Sequence, residues 1–165
     1  MTCRFFAFSL GFALLAGGCA ATLENYRAKS PDEAQILVTL MRIPNGISAR
    51  SVDTILLAYA DDAYVGNFNK YLGGIGRSNK TTLRKPDLRM VYGTLFKETK
   101  DTSMDVKEFQ LSVSGDRAVA EGYLETLVKT EGGRQDRREE VIRNHVLWRL
   151  QRTPFGWRIK EEIYQ

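Results

Sequence analysis

From Met104 to Tyr164 the chain reads as four segments in which apolar and polar residues alternate, separated by short turns. Phe109, Leu111 and Val113 alternate with Gln110, Ser112 and Ser114; Ser114-Gly115-Asp116 supplies a hairpin turn, and Arg117 to Thr130 returns. Glu131-Gly132-Gly133 turns the chain again, Val141 to Arg152 is the third run, and Thr153-Pro154-Phe155-Gly156 leads into the fourth, Trp157 to Tyr164. A period of two places every second side chain on one face. The stretch therefore predicts an antiparallel meander against which the rest of the chain must pack.

What precedes it reads as helices. Ser30-Pro31-Asp32-Glu33 combines a serine cap, proline at the first helical position and a glutamate that completes a capping box. A helix is expected to about Arg42, with Ile36, Leu37, Leu40 and Met41 on one face and Pro44-Asn45-Gly46 ending it. A second, short helix from Ser51 is expected to end in Ala60-Asp61-Asp62-Ala63, followed by an edge strand from Tyr64 to Phe68 and a loop from Asn69 to Lys85. A third helix runs from about Pro86 to Thr99 on Leu88, Val91, Tyr92, Leu95 and Phe96. Helices before strands, without βαβ alternation, argue an α+β fold.

At the amino terminus Arg4, an apolar run from Phe5 to Ala16 and the small residues before Cys19 have the parts of a secretory leader. The run is too short for the roughly 20 residues that a membrane-spanning helix needs. Ala16-Gly17-Gly18-Cys19 resembles a bacterial lipobox, with Leu15 one place earlier than the usual leucine. The resemblance implies cleavage after residue 18, acylation of Cys19 (palmitate among the chains) and, with Ala20 following, delivery to the periplasmic face of a Gram-negative outer membrane. Cleavage at an A-x-A-like site and an uncleaved anchor are the other readings. Residues 1–18 are then leader, 19–29 a tether and 30–165 one domain. With Cys3 removed and Cys19 acylated, no thiol is left for a disulfide, a nucleophile or a metal site. Several acyl chains hold a protein on a bilayer where one is marginal.

The formal charge of +4 falls to about +3 once Arg4 is lost. No basic stretch is interleaved with aromatics in the manner of single-strand binders, so nucleic acid is not expected as a partner. No P-loop, G-x-S-x-G or H-E-x-x-H pattern occurs, and Gly73-Gly74-Ile75-Gly76 does not follow a strand in a βαβ unit. No cofactor and no metal are expected.

The order helix, short helix with Leu57-Ala58-Tyr59-Ala60-Asp61-Asp62-Ala63, edge strand, loop, helix and a meander ending in Gly156-Trp157-Arg158-Ile159 resembles the nuclear transport factor 2-like superfamily, and within it the SnoaL-like and ketosteroid-isomerase-like branch. The resemblance covers nearly all of residues 30–164. It implies a cystatin-like cone in which three helices and a curved antiparallel sheet with a mixed edge enclose a pocket. It also implies, for the isomerases, an aspartate base where this chain has Asn67 and an oxyanion-holding tyrosine at about Ile43. An amide is no general base and isoleucine offers no donor. The dehydratase arrangement needs two histidines, and this chain has His145 alone.

Asp62, His145 and Glu125 remain as candidate acids or bases, each with a plainer role: Asp62 in a turn, His145 as a structural strand residue, Glu125 in a cross-strand ion pair. Glu121, Glu125 and Glu161 are expected to pair with Arg143, Arg149, Lys129 or Arg158. Tyr59, Tyr64, Asn67 and Trp148 are the candidate pocket wall. The expected function is a non-catalytic envelope lipoprotein that binds an apolar small molecule or a protein. The alternatives are an isomerase, dehydratase or cyclase and a structural subunit, as homodimer or in an envelope complex.

Overall fold

The computed structural model describes residues 21–68, 80–130 and 138–165; the leader, Cys19, Gly73, Gly74, Gly76 and the Glu131-Gly132-Gly133 turn lie outside them. Helix α1 spans Pro31–Ser48, α2 Val52–Leu56 and α3 Lys85–Glu98, and the strands are β1 Tyr59–Gly66, β2 Thr82–Arg84, β3 Asp101–Ser114, β4 Arg117–Thr130, β5 Arg138–Thr153 and β6 Gly156–Tyr164. The strand order is β2-β1-β6-β5-β4-β3. All neighbours are antiparallel except β1 and β6, which run parallel. The α+β class is as the order of helices before strands predicts, and the four-stranded meander is as the alternation predicts.

The helical half departs from the expectation in three places, the smallest being β2 at Thr82–Arg84, a strand paired to β1 at the end of the stretch expected as a loop from Asn69 to Lys85. The Ser30 cap forms, its Oγ accepting from Glu33 N at 3.1 Å, but α1 continues through Pro44 to Ser48. Proline removes one bond to the preceding turn. In exchange, Ile43, Pro44 and Ile47 enter the core, and the helix end stays against α2, where a Cβ on Gly46 would sit 2.5 Å from Ile55 Cγ1. The second departure is β1, which begins at Tyr59 and lies inside the sheet between β2 and β6 instead of at its edge. Asp61 and Asp62 thus sit on a strand, where Lys85 and Lys160 hold their carboxylates.

Curvature comes from bulges. In β3 the pairing jumps between Lys107 and Gln110, with Glu108 at φ +53°. Opposite it lies Gly122, where a Cβ would be 2.8 Å from the Lys107 carbonyl oxygen. In β6 one step of β5, from Arg149 to Leu150, faces two steps, from Glu161 to Ile159, so Lys160 is extra. Each bulge bends its strand and increases its twist.

Helices α1 and α3 and the bent sheet close over one core that includes Ile36, Leu40, Ile55, Tyr92, Leu95 and Trp157. Within it Thr126 is fully buried, and its hydroxyl has no partner among the described residues. Thr126→Val should therefore raise stability by about 1 kcal/mol, since it removes an uncompensated buried hydroxyl at constant shape; urea unfolding checks this.

The expected tether is docked over its described part. Leu23 N donates to the Val106 carbonyl at 2.9 Å and Phe109 N to the Ala21 carbonyl at 2.8 Å, which adds a short strand-like segment to the edge of β3. Leu23 is buried and Tyr26 packs edge-on to Phe109 at 5.2 Å. No described helix is long and apolar enough to cross a membrane.

Candidate functional site

Four side chains meet inside the cone: Tyr59 from the start of β1, Trp148 from β5, and Glu162 and Tyr164 from β6. All are at most 2% exposed. Glu162 Oε2 accepts from Tyr59 Oη at 2.5 Å and from Trp148 Nε1 at 2.9 Å, while the Tyr164 hydroxyl bonds Oε1. Burial pushes the Glu162 carboxyl up from its ordinary range, against the pull of its three donors. The Tyr59 phenol is pushed well up, first by burial and then by the Glu162 charge, with Tyr92 adding to it. Phe68 closes one side, edge-on to Tyr164 at 6.0 Å and to Tyr92 at 6.2 Å. An acid flanked by hydroxyls could give or take a proton, but here every donor is already spent on it.

Glu162 was not among the residues that the alternation singles out. Counting by twos from Trp157 and Ile159 turns Glu161 and Ile163 inward. The extra Lys160 reverses the parity, so Glu162 and Tyr164 face the core and Glu161 faces out. A bulge between paired strands leaves no local mark in sequence; the hint was a tyrosine ending the strand out of step with Trp157.

None of the three candidate catalytic groups reaches this interior. Asp62 is exposed and bonds Lys160, which holds its carboxyl below the usual range. His145 lies on the outer face of the sheet, edge-on to Tyr123 at 5.2 Å, with Nδ1 3.2 Å from Gln165 Oε1 and Nε2 3.9 Å from Glu121. Glu125 is 3.6 Å from Arg143 Nε. Glu161 pairs with Arg149 at 2.5 Å. Of the candidate pocket wall, Tyr59 and Trp148 join Glu162, whereas Tyr64 lies under the Arg84 guanidinium at 5.7 Å. Asn67, at φ +56°, gives its amide to the Tyr164 carbonyl at 3.0 Å. Ile43 is core. Among the described residues, no three His, Cys, Asp or Glu side chains are grouped so as to hold a metal ion.

A cavity of about 400 Å³ wraps over the β3 edge. Leu23, Met41, Pro44 and Met104 line it from the helical side, and Leu127 and Val141 from the outer face, with Glu24, Asp105 and Glu125 among its polar lining. Asp105 is held by Lys107 at 2.5 Å. A second concavity, about 610 Å³, lies on the outer face around Tyr123, Arg143 and His145.

No protein-family model matches the chain, and no curated protein is similar to it. Solved structures do match. A protein with a cystatin-like fold from Nostoc punctiforme is 14% identical at TM-score 0.62, over 84% of this chain and 93% of the other. A candidate dehydratase of the NTF2-like family from Streptomyces avermitilis is 13% identical at TM-score 0.61, over 81% and 94%. A candidate aromatic ring hydroxylase from Novosphingobium aromaticivorans is 16% identical at TM-score 0.66, over 84% and 91%. Identities this low carry the architecture and not the chemistry. The chain has the nuclear transport factor 2-like, cystatin-like fold.

Proposed function

We propose that this chain is an envelope lipoprotein, acylated at Cys19 and held on the periplasmic face of an outer membrane, whose domain binds an apolar small molecule without transforming it. The observation that carries the binding role is the cavity over β3, floored by Leu23, Met41, Met104, Leu127 and Val141. Apolar walls with a few polar groups suit recognition of such a ligand. Its one candidate acid, Glu125, is engaged by Arg143, and the cone's interior acid is enclosed by its own donors.

Native mass spectrometry of the full chain, released from membranes in mild detergent, should show a retained small molecule that is absent from Leu127→Trp, which fills the cavity. Equal retention by both proteins, or no retained mass, would remove the support. Palmitate labelling that persists in Cys19→Ser would remove the anchor.

The enzymatic reading has one observation in its favour, the carboxyl of Glu162 beside two tyrosine hydroxyls. It requires solvent or substrate to reach that carboxyl. Labelling of Glu162 by an apolar carbodiimide in the folded protein would favour it, and protection of Glu162 would favour binding without catalysis.

A further inference from the structure

β1 joins β6 only from Tyr59 opposite Ile159, so the described part of the sheet leaves the edge of β6 open at Trp157. Helix α1 covers that edge. Thr39 Oγ1 donates to the Trp157 carbonyl at 3.1 Å, and Arg158 Nη1 donates to the same oxygen at 2.7 Å. Arg42, three residues beyond Thr39 and on the same side of α1, donates Nη1 to the Leu57 carbonyl at 2.7 Å. The next residue, Ala58, accepts from Ile159 N at 2.9 Å. Two guanidiniums from opposite ends of the domain are thus fixed by backbone carbonyls beside one another.

Neither has a carboxylate within ion-pair distance among the described residues. Asp32 pairs with Arg152, Asp62 with Lys160 and Asp53 with Arg89 instead. The Arg158 guanidinium is held below its ordinary range by partial burial and, secondarily, by the charge of Arg42. Leu57 is 57% exposed beside them, and Val38, one turn before Arg42, is 61% exposed. Two neighbouring cations that have no carboxylate partner among the described residues repel one another, and each guanidinium has further planar donors that suit a tetrahedral oxyanion.

We propose that Arg42 and Arg158 form a site for the phosphodiester of an anionic phospholipid, with Leu57 and Val38 against its apolar part. The site is independent of the cavity at β3. The flanking apolar side chains favour a lipid over free phosphate, which would gain nothing from them.

The test titrates the full chain, in nonionic detergent, with dihexanoyl phosphatidylglycerol, dihexanoyl phosphatidylcholine and inorganic phosphate, read by phosphorus NMR line width. Saturable binding of phosphatidylglycerol is expected, weakened about tenfold or more in Arg42→Gln and in Arg158→Gln. Thermal midpoints should change little in both variants, because relief of the like-charge contact offsets the lost bond to a backbone carbonyl. Arg158→Lys, which keeps the charge but not the fork, should fall between and serves if the glutamine variant does not fold. Binding that survives both substitutions, or equal affinity for phosphatidylcholine, overturns the proposal. Inorganic phosphate bound as tightly and lost in the same variants overturns the lipid assignment in favour of a free anion.

Discussion

Glu162→Ala should cost about 3–5 kcal/mol of folding stability, because it strands the Tyr59 and Tyr164 hydroxyls and the Trp148 indole N–H in a dry interior. Glu162→Gln keeps the shape and part of the accepting capacity and should cost less. The pair of variants also separates charge from hydrogen bonding through pH. Burial raises the folded-state carboxyl above its unfolded value of about 4.3, so the folded protein holds the proton to higher pH than the unfolded chain does. The contribution of Glu162 is therefore complete below the unfolded value and declines as pH rises through the folded one. Urea unfolding across that interval should show the wild type gaining on Glu162→Gln as pH falls. Asp61, Asp62 and Asp87, whose carboxyls are held low by lysines, contribute the opposite slope, and it cancels in the difference. A difference flat in pH would mean that Glu162 titrates alike in both states.

Gly122→Ala should follow in size, at about 2–3 kcal/mol, toward the upper part of what overpacking costs. The new methyl would meet the Lys107 carbonyl oxygen at 2.8 Å and Val106 Cγ1 at 2.9 Å, and the first of these is backbone that the β3 bulge fixes. Val106→Ala in the same chain should recover part of the loss by removing the second contact, a coupling that a double-mutant cycle reads directly. Simple additivity would show that the bulge moves aside.

The sequence carried the meander well because alternation is a local signal: the runs around Phe109 to Val113 and from Val141 to Arg152 are strands as read. It carried the start of α1 for the same reason, a serine bonding an amide three residues on. What it did not carry depends on distant partners. Asp61 and Asp62 look like a helix stop until Lys85 and Lys160 are seen beside them. Pro44 looks like another until the core that Ile43 and Ile47 enter is in place. The interior site was half legible: Tyr59 and Trp148 stood out as aromatics, but Glu162 turns inward only because Lys160 is looped out, and that bulge is imposed by pairing with β5.

The strand-like docking of Ala21 and Leu23 on β3 sets how high the domain could ride. If Cys19 is acylated as proposed, Ala20 alone separates it from the docked Ala21, two backbone steps that span at most about 7 Å. Such a leash is shorter than the domain is wide. Under the proposed anchor, the β3 flank and the cavity beside it would be the part of the domain nearest the headgroups, and an apolar molecule could pass between bilayer and protein without crossing open solvent.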